Sequence, residues 1–224
     1  MRKRLSTFKK FDNLNNVFSA RRDELRCTAI RLQTGGLCLF SPVQGLCEEA
    51  ISSLASLGDV EFLLAPNHYH TKGLKEYAQA FPKAYVCAPV QAHARLEKIT
   101  SLRFEDLTGL QAELLPSMGI VAPLGLKTGE IWITANNRHH KAWIVVDAFA
   151  GPKGKQEDLA SAPEILGSFP RMGIANRTLY LDWLEQKIQT DNPTMIVPCH
   201  GSVLHNSRME KCLRGLLRAE LAGS

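Results

Sequence analysis

The chain has 224 residues, of which 45% are hydrophobic and 22% are charged. This composition excludes an intrinsically disordered chain and suits a single large domain with its own core. The formal charge is +5, but residues 1–26 carry eight Lys and Arg against three Asp and Glu, and the remainder is balanced. We therefore expect a solvated basic arm over residues 1–24 and a single domain over residues 25–224, with no nucleic-acid-binding face.

Segments of strand and helix character alternate along the chain. The predicted strands cover Cys27 to Leu32, Gly36 to Ser41, Val60 to Ala65, Ala84 to Ala88, Gly119 to Leu126, Glu130 to Ala135, Lys141 to Val146 and Met195 to Val197. The predicted helices cover Leu46 to Leu57, Thr71 to Ala80, Val90 to Lys98, Arg177 to Thr190 and the C-terminal end. Residues 151–176 lack periodicity and are predicted to form a long loop. Hairpins mixed with crossover helices favour an α/β (α+β) fold with mixed sheets covered by helices.

Polar side chains that can bind a metal follow three of the predicted strands. His68 and His70 come after Val60 to Ala65, Asp147 ends the run at Val146, and His200 follows Met195 to Val197. Functional groups of open α/β sheets gather beyond the carboxyl ends of strands, so these side chains are expected to meet. The sequence therefore predicts a metal site made of His68, His70, Asp147 and His200.

The H-x-H pair is the core of this prediction. In extended backbone His68 and His70 point to the same side, so both imidazoles can reach one ion. Neutral imidazole suits zinc or iron, and a carboxylate such as that of Asp147 adds negative charge. An isolated H-x-H pair is more often two surface histidines, and the strand that precedes this pair favours the metal interpretation.

The order of these motifs resembles the metallo-β-lactamase superfamily. That family carries H-x-H-x-D-H after a strand, then a G-H-T-P-G-like turn, an Asp that ends a strand and a late His. The matching segments here are Asn67 to Gly73, Gly125 to Gly129, Ala142 to Asp147 and Val197 to Gly201. The resemblance covers about residues 25–205 and is closest to a divergent, motif-degenerate branch. It implies a metallo-β-lactamase-like αββα sandwich.

The chain also departs from the family pattern. Lys72 stands where the family has its metal-binding Asp, Gly73 where it has the third His, and Leu126 where the central turn has its His. The resemblance therefore implies that the usual two-metal site, with a hydroxide bridging both ions, is not complete. One zinc ion, or none, is expected, and iron is a further alternative.

Lys72 has two interpretations that the sequence leaves open. Its ammonium can stand in for the second ion by pairing with Asp147, which makes Asp147 and Lys72 the candidate catalytic residues. Alternatively, Lys72 begins a helix and points into water, as most lysines do.

Three functions follow from this pattern. The first is a hydrolase with one metal ion or a degenerate site, in which the ion acidifies a water that attacks an ester, amide or similar bond. The second is a non-catalytic relative that binds a small ligand or a partner. The third is an iron-dependent oxidoreductase, because N/O ligand sets also hold iron.

Cysteine usage and hydropathy bear on the compartment. The six cysteines form no C-x-x-C pair, which favours reduced thiols in a cytoplasmic protein. Residues 2–10 are basic and lack the apolar stretch of a signal peptide. No apolar run approaches the ~20 residues that span a bilayer, so no membrane partner is expected.

Overall fold

The computed structural model describes residues 3–137, 140–154 and 159–221. One mixed sheet contains the strands β1 Lys9–Phe11, β2 Leu14–Arg22, β3 Leu25–Arg31, β4 Leu37–Phe40, β5 Val60–Leu64 and β6 Tyr85–Cys87, in that spatial order. The other contains β7 Met118–Val121, β8 Trp132–Asn136, β9 Lys141–Val145, β10 Leu159–Ala160, β11 Met195–Pro198 and β12 Val203–His205. Its spatial order is β10-β12-β11-β9-β8-β7.

Helices cover the outer face of each sheet. The helices are α1 Glu48–Ala55, α2 Leu74–Ala80, α3 Val90–Thr100, α4 Thr108–Glu113, α5 Phe169–Gly173, α6 Arg177–Asp191 and α7 Met209–Leu216, followed by a π-helical turn at Leu217–Leu221. Helices α1 and α2 pack on the first sheet through Ala50, Leu54 and Tyr77. Helices α6 and α7 pack on the second sheet. The predicted αββα sandwich is confirmed.

The alternation of side chains along single strands produces these layers. In β9, Ala142 and Ile144 point into the core between the sheets, while Trp143 and Val145 lie under the helices. A strand sends successive side chains to opposite faces, so a strand buried on both faces is apolar throughout. This explains why the apolar runs in the sequence predicted most of the strands, with small differences at their ends.

The N-terminal segment differs from its prediction as a solvated arm. Residues 9–22 form β1 and β2, and β2 pairs with β3 from Val17↔Ile30 to Arg22↔Leu25. Leu5 and Phe8 are buried in the cluster formed by α1 and the outer face of the first sheet. The boundary at residue 24 is therefore wrong. Five of the basic residues, Lys9, Lys10, Arg21, Arg22 and Arg26, lie in strands of the domain, where their charge masked the strand pattern.

The segment predicted as a long loop contains two short elements. Strand β10 pairs with β12, and α5 packs Phe169 into the core of the second sheet. Residues 155–158 within it lie outside the described part of the chain. None of the described helices combines the length and the hydrophobicity needed to span a membrane.

Candidate metal centre

Three of the predicted ligands meet at one edge of the sandwich. His70, Asp147 and His200 each offer a ligand atom, and these three atoms lie within 4.8 Å of one another. The Asp147 Oδ1 atom lies 3.2 Å from Nε2 of His70 and 3.1 Å from Nε2 of His200. Two imidazoles and a carboxylate are a donor set for zinc or iron. The residues therefore fit the kind of ion that the sequence predicted.

The pairing of β9 with β11 brings Asp147 and His200 together. These strands are parallel neighbours, with Val145 opposite Pro198, and each ligand follows its strand by two residues. The carboxyl ends of neighbouring parallel strands lie at the same sheet edge. Asp147 and His200 therefore reach the same point although 53 residues separate them.

His70 comes from the other sheet, in the loop after β5. Two backbone hydrogen bonds hold this loop against the second sheet: Ile131 N–H donates to the Pro66 carbonyl, and His68 N–H donates to the Thr128 carbonyl. They close the gap between the sheets at the site and place His70 beside Asp147.

Ser41 fixes the ring of His70. Its Oγ lies 2.6 Å from His70 Nδ1, and Ser41 is buried at the end of β4 with a left-handed φ of 57°. If Nδ1 carries the proton and donates it to Ser41, Nε2 keeps a lone pair for a cation. Ser41 thus serves as the outer hydrogen-bond partner that metal-binding histidines usually have.

Asp147 is held in its charged form. Burial favours its neutral form, but interactions with the adjacent His200 and His70 imidazoles outweigh burial and hold the pKa of this carboxyl well below its ordinary value. Asn67 Nδ2 donates a further hydrogen bond of 2.8 Å to Asp147 Oδ2. Asp147 therefore stays a negatively charged ligand throughout the neutral pH range.

Glu130 lies behind the site and is fully buried. It accepts hydrogen bonds from Trp132 Nε1 at 2.8 Å, from the Ala148 N–H at 3.3 Å and from Asn67 Nδ2 at 3.4 Å. Burial and the negative charge of Asp147 raise the pKa of this carboxyl. Asn67 therefore links Glu130 to Asp147, and Oε1 of Glu130 braces the loop that carries Asp147 through the Ala148 N–H.

Sequence analysis missed Ser41, Asn67 and Glu130 as parts of the site. Glu130 had a signal, since it is a single acid beside Trp132 in an otherwise apolar run. Asn67 directly precedes the H-x-H pair. Ser41 has no signal in the sequence, because its contact with His70 arises only when β4 and β5 pair.

His68 is not a member of the three-residue group. Its ring stacks edge-on against Tyr69 at 4.3 Å, and its Nε2 atom is buried without a hydrogen-bond partner in the described part of the chain. Burial and the positive charge of Arg95 lower the pKa of this imidazole. His68 is therefore in the neutral form that binds metals, and its role as a ligand stays a prediction.

Lys72 is exposed to solvent, as in the second of its two interpretations. It is exposed, and within the described residues it makes no ion pair with Asp147. An ion pair of ~4 Å between the Lys72 ammonium and the Asp147 carboxylate, which would let Lys72 replace the second ion, is absent among the described residues. Lys72 belongs instead to the wall of the cavity that opens beside the three ligands.

The other two departures from the family pattern lie at Gly73 and Leu126. A Cβ atom placed on Gly73 would lie 2.2 Å from the Pro42 carbonyl oxygen, so no imidazole fits there. Leu126 packs toward the helices of the second sheet, and its backbone pairs with Ile174. Of the positions that the family pattern gives to the second ion, 72, 73 and 126 carry no metal-binding side chain, and position 73 also lacks space for an imidazole.

No family model and no curated protein matches this chain. Solved structures do. DIM-1 metallo-β-lactamase exposed to ceftazidime superposes with a TM-score of 0.66 at 9% identity, over 96% of this chain and 98% of that one. The chain has the metallo-β-lactamase fold.

The same fold also contains oxidoreductases. The metal-soaked Flv1 flavodiiron core from Synechocystis matches with a TM-score of 0.61 at 12% identity, over 95% of this chain and 60% of that one. Rubredoxin oxygen:oxidoreductase from Desulfovibrio gigas matches with a TM-score of 0.63 at 10% identity, over 95% and 60%. At these identities the likeness shows the fold and does not decide between hydrolase and oxidoreductase.

Replacing Ser41 with Ala tests the outer contact of His70. We expect zinc affinity to fall by about tenfold, because the ring loses the partner that fixes its tautomer and orientation. Isothermal titration with zinc measures this change. The exposed Ser56 is the matched control, since its hydroxyl bonds only the Ser53 carbonyl. Equal zinc affinities for Ser41→Ala and the native chain would contradict the role given to Ser41.

Proposed function

We propose that this chain is a hydrolase that holds one metal ion, zinc, between His70, Asp147 and His200. The observation that supports the proposal is the convergence of three ligand atoms within 4.8 Å at a cavity. Three protein ligands with an open position are typical of catalytic zinc sites, whereas structural sites are closed by four. The side chains of the three residues are 13–24% exposed, so a small molecule can reach them.

Each residue of the site has a distinct task in this proposal. A bound ion supplies the Lewis acidity that makes water nucleophilic at neutral pH. Asp147 contributes the negative charge that attracts the ion. Its lowered pKa preserves this charge at acidic pH. Ser41 orients His70, and Asn67 orients the carboxylate of Asp147 while bracing against Glu130. A preorganised shell of this kind keeps the ligands from relaxing when the ion and substrate bind.

Metal analysis combined with a substrate panel tests the proposal. The chain is produced with zinc and iron both supplied, its metal content is measured, and it is assayed on p-nitrophenyl acetate, bis-p-nitrophenyl phosphate and nitrocefin. We expect about one zinc per chain, hydrolysis of at least one ester or amide, loss of activity with a chelator and recovery with zinc. The Asp147→Asn variant is the inactive control.

Two other outcomes correspond to other functions. The flavodiiron and oxidoreductase neighbours favour an iron enzyme as the second candidate, and about one bound iron with no hydrolysis would support it. Absence of both metal and hydrolysis would support a non-catalytic binding protein, in line with the loss of space at Gly73. A cytoplasmic location is also part of our proposal, and six free cysteines support it.

A further inference from the structure

A cavity adjoins His70, Asp147 and His200. Its volume is about 410 Å³, within the range of small-molecule sites. Its walls come from the β2–β3 turn, the loop after β4, the loop that carries His70, and the segment around α5. The backbone ties the β2–β3 turn to the site: Gly201 N–H donates to the Glu24 carbonyl, and Arg26 N–H donates to the Cys199 carbonyl.

The charges around this cavity are mostly positive. Arg22, Arg26 and Lys72 line it, and Asp147 is the only acid among the described residues that line it. The acids next to Arg22 in sequence are engaged elsewhere, because Asp23 pairs with Lys3 and Glu24 pairs with Arg21. Within the described residues, neither Arg22 nor Lys72 has an acidic partner in an ion pair. Two cations at the cavity are thus available to a ligand.

Arg26 adds a buried positive charge behind them. Its side chain is fully buried, and its guanidinium bonds only neutral oxygens, those of the Ser19 hydroxyl and the Gly201 carbonyl. Its Nε atom has no hydrogen-bond partner in the part of the chain that the structure describes. Burial and the nearby Arg21 lower the pKa of Arg26 to about 10, so it remains charged at neutral pH. Burial of a cation is costly, and an anion in the cavity would add to the favourable charge of the nearby Glu24.

Part of the cavity wall is apolar. Leu25, Leu166, Phe169 and Met172 contribute to it, and Met172 is 39% exposed at its mouth. An apolar surface of this kind favours a hydrocarbon segment of a ligand over a fully polar molecule.

We propose that this cavity binds an amphipathic organic anion whose carboxylate or phosphate lies between Arg22 and Lys72 and whose apolar part packs on Phe169 and Met172. The proposal rests on the proposed hydrolase function and names its substrate class: an ester or amide that carries an acidic group and an apolar segment. The bond to be cleaved then lies at His70, Asp147 and His200, and the anion lies beside it at Arg22 and Lys72. Guanidinium and ammonium groups together bind such an oxyanion through charge-assisted hydrogen bonds.

Binding of product-like probes to the metal-free chain tests this proposal. After chelation, the chain is titrated with octanoate, octyl phosphate, 1-octanol and octylammonium by calorimetry. We expect either anion to bind at least about tenfold more tightly than 1-octanol, and octylammonium to bind more weakly than 1-octanol. The affinity for the anions should fall when ionic strength rises from about 0.05 M to about 0.5 M. Comparison of the two anions separates a carboxylate site from a phosphate site.

Substitutions locate the anion. Arg22→Ala and Lys72→Ala should each weaken anion binding about fivefold and leave binding of 1-octanol unchanged. Lys75→Ala, an exposed lysine three residues from Lys72 and outside the cavity lining, is the matched control and should change neither. Equal affinity for octanoate and 1-octanol, or unchanged anion binding in both variants, would overturn the proposal.

Zinc titration of the same variants separates this inference from the proposed function. Arg22→Ala and Lys72→Ala should bind zinc with native stoichiometry, because neither residue is among the three ligands. Anion binding in a chain that binds no zinc would leave the cavity assignment standing and reject the hydrolase. Zinc binding without anion selectivity would reject the substrate class and leave the metal centre intact.

Discussion

Asp147→Asn is expected to lower the zinc affinity of the chain by at least about a hundredfold. Its Oδ1 atom is the point at which Nε2 of His70 and Nε2 of His200 meet, at 3.2 and 3.1 Å. An amide has nearly the same size but supplies no negative charge, so the ion loses both a ligand and the attraction of a carboxylate. The variant keeps the volume of the side chain, which separates loss of binding from loss of packing.

Calorimetric titration and the zinc-induced rise in melting temperature measure this effect. A ligand that binds only the folded state raises the melting temperature in proportion to its affinity, so the rise should disappear in Asp147→Asn. His205→Ala is the control, because His205 lies outside the three-residue group and stacks on His140 instead. Retention of native zinc affinity by Asp147→Asn would refute the metal centre.

Deletion of residues 1–8 is expected to destabilise the domain by about 5 kcal/mol or more, since each core Leu or Phe contributes about 2–5 kcal/mol. Leu5 and Phe8 are 3% and 7% exposed and pack against Ala50 and Leu54 of α1. The deletion also removes hydrogen bonds to the domain, among them those from Leu5 N–H to the Gly45 carbonyl, from Ser6 N–H to the Arg21 carbonyl and from Phe8 N–H to Ser53 Oγ. A loss of this size is comparable to the whole stability of many domains.

Deletion of residues 1–4 is the matched control. It removes Lys3 and Arg4, whose ion pairs with Asp23 and Glu49 are exposed and therefore contribute little. Urea unfolding followed by circular dichroism compares both truncated chains with the native one. Equal unfolding midpoints for the two deletions would show that Leu5 and Phe8 contribute nothing to the core, as a solvated arm requires.

Much of the sandwich could be predicted from local patterns. Strands such as β9 and β11 are buried on both faces, so their apolar runs stand out in the sequence whatever their partners are. The placement of His70, Asp147 and His200 at one sheet edge followed from the same patterns. Each residue comes after a strand whose end could be predicted from the end of its apolar run. Parallel strand ends meet at one edge as a property of the sheet, so a local signal sufficed for a long-range contact.

The N-terminal strands were hidden because their sequence pattern is mixed. Strand β2 carries Asn15 and Asn16 near its start and Arg21 and Arg22 at its end, where the chain approaches the cavity. The sequence analysis counted Arg26 among the charges expected on the surface, yet Arg26 is fully buried. The buried position of Arg26 depends on the contact between the β2–β3 turn and the loop after β11. In that contact Arg26 bonds the Gly201 carbonyl, 175 positions away in the sequence.

The sequence by itself predicted the layered fold, the convergence of His70, Asp147 and His200 at one sheet edge, and the absence of metal-binding side chains at positions 72, 73 and 126, because residue type and strand periodicity are local properties. The tertiary structure decided what those residues do together. It leaves Lys72 exposed and without an ion pair to Asp147 among the described residues, places Ser41 and Asn67 beside His70 and Asp147, and closes the space at Gly73. These outcomes depend on the direction of side chains between two sheets, which pairing and packing set and which no local pattern encodes.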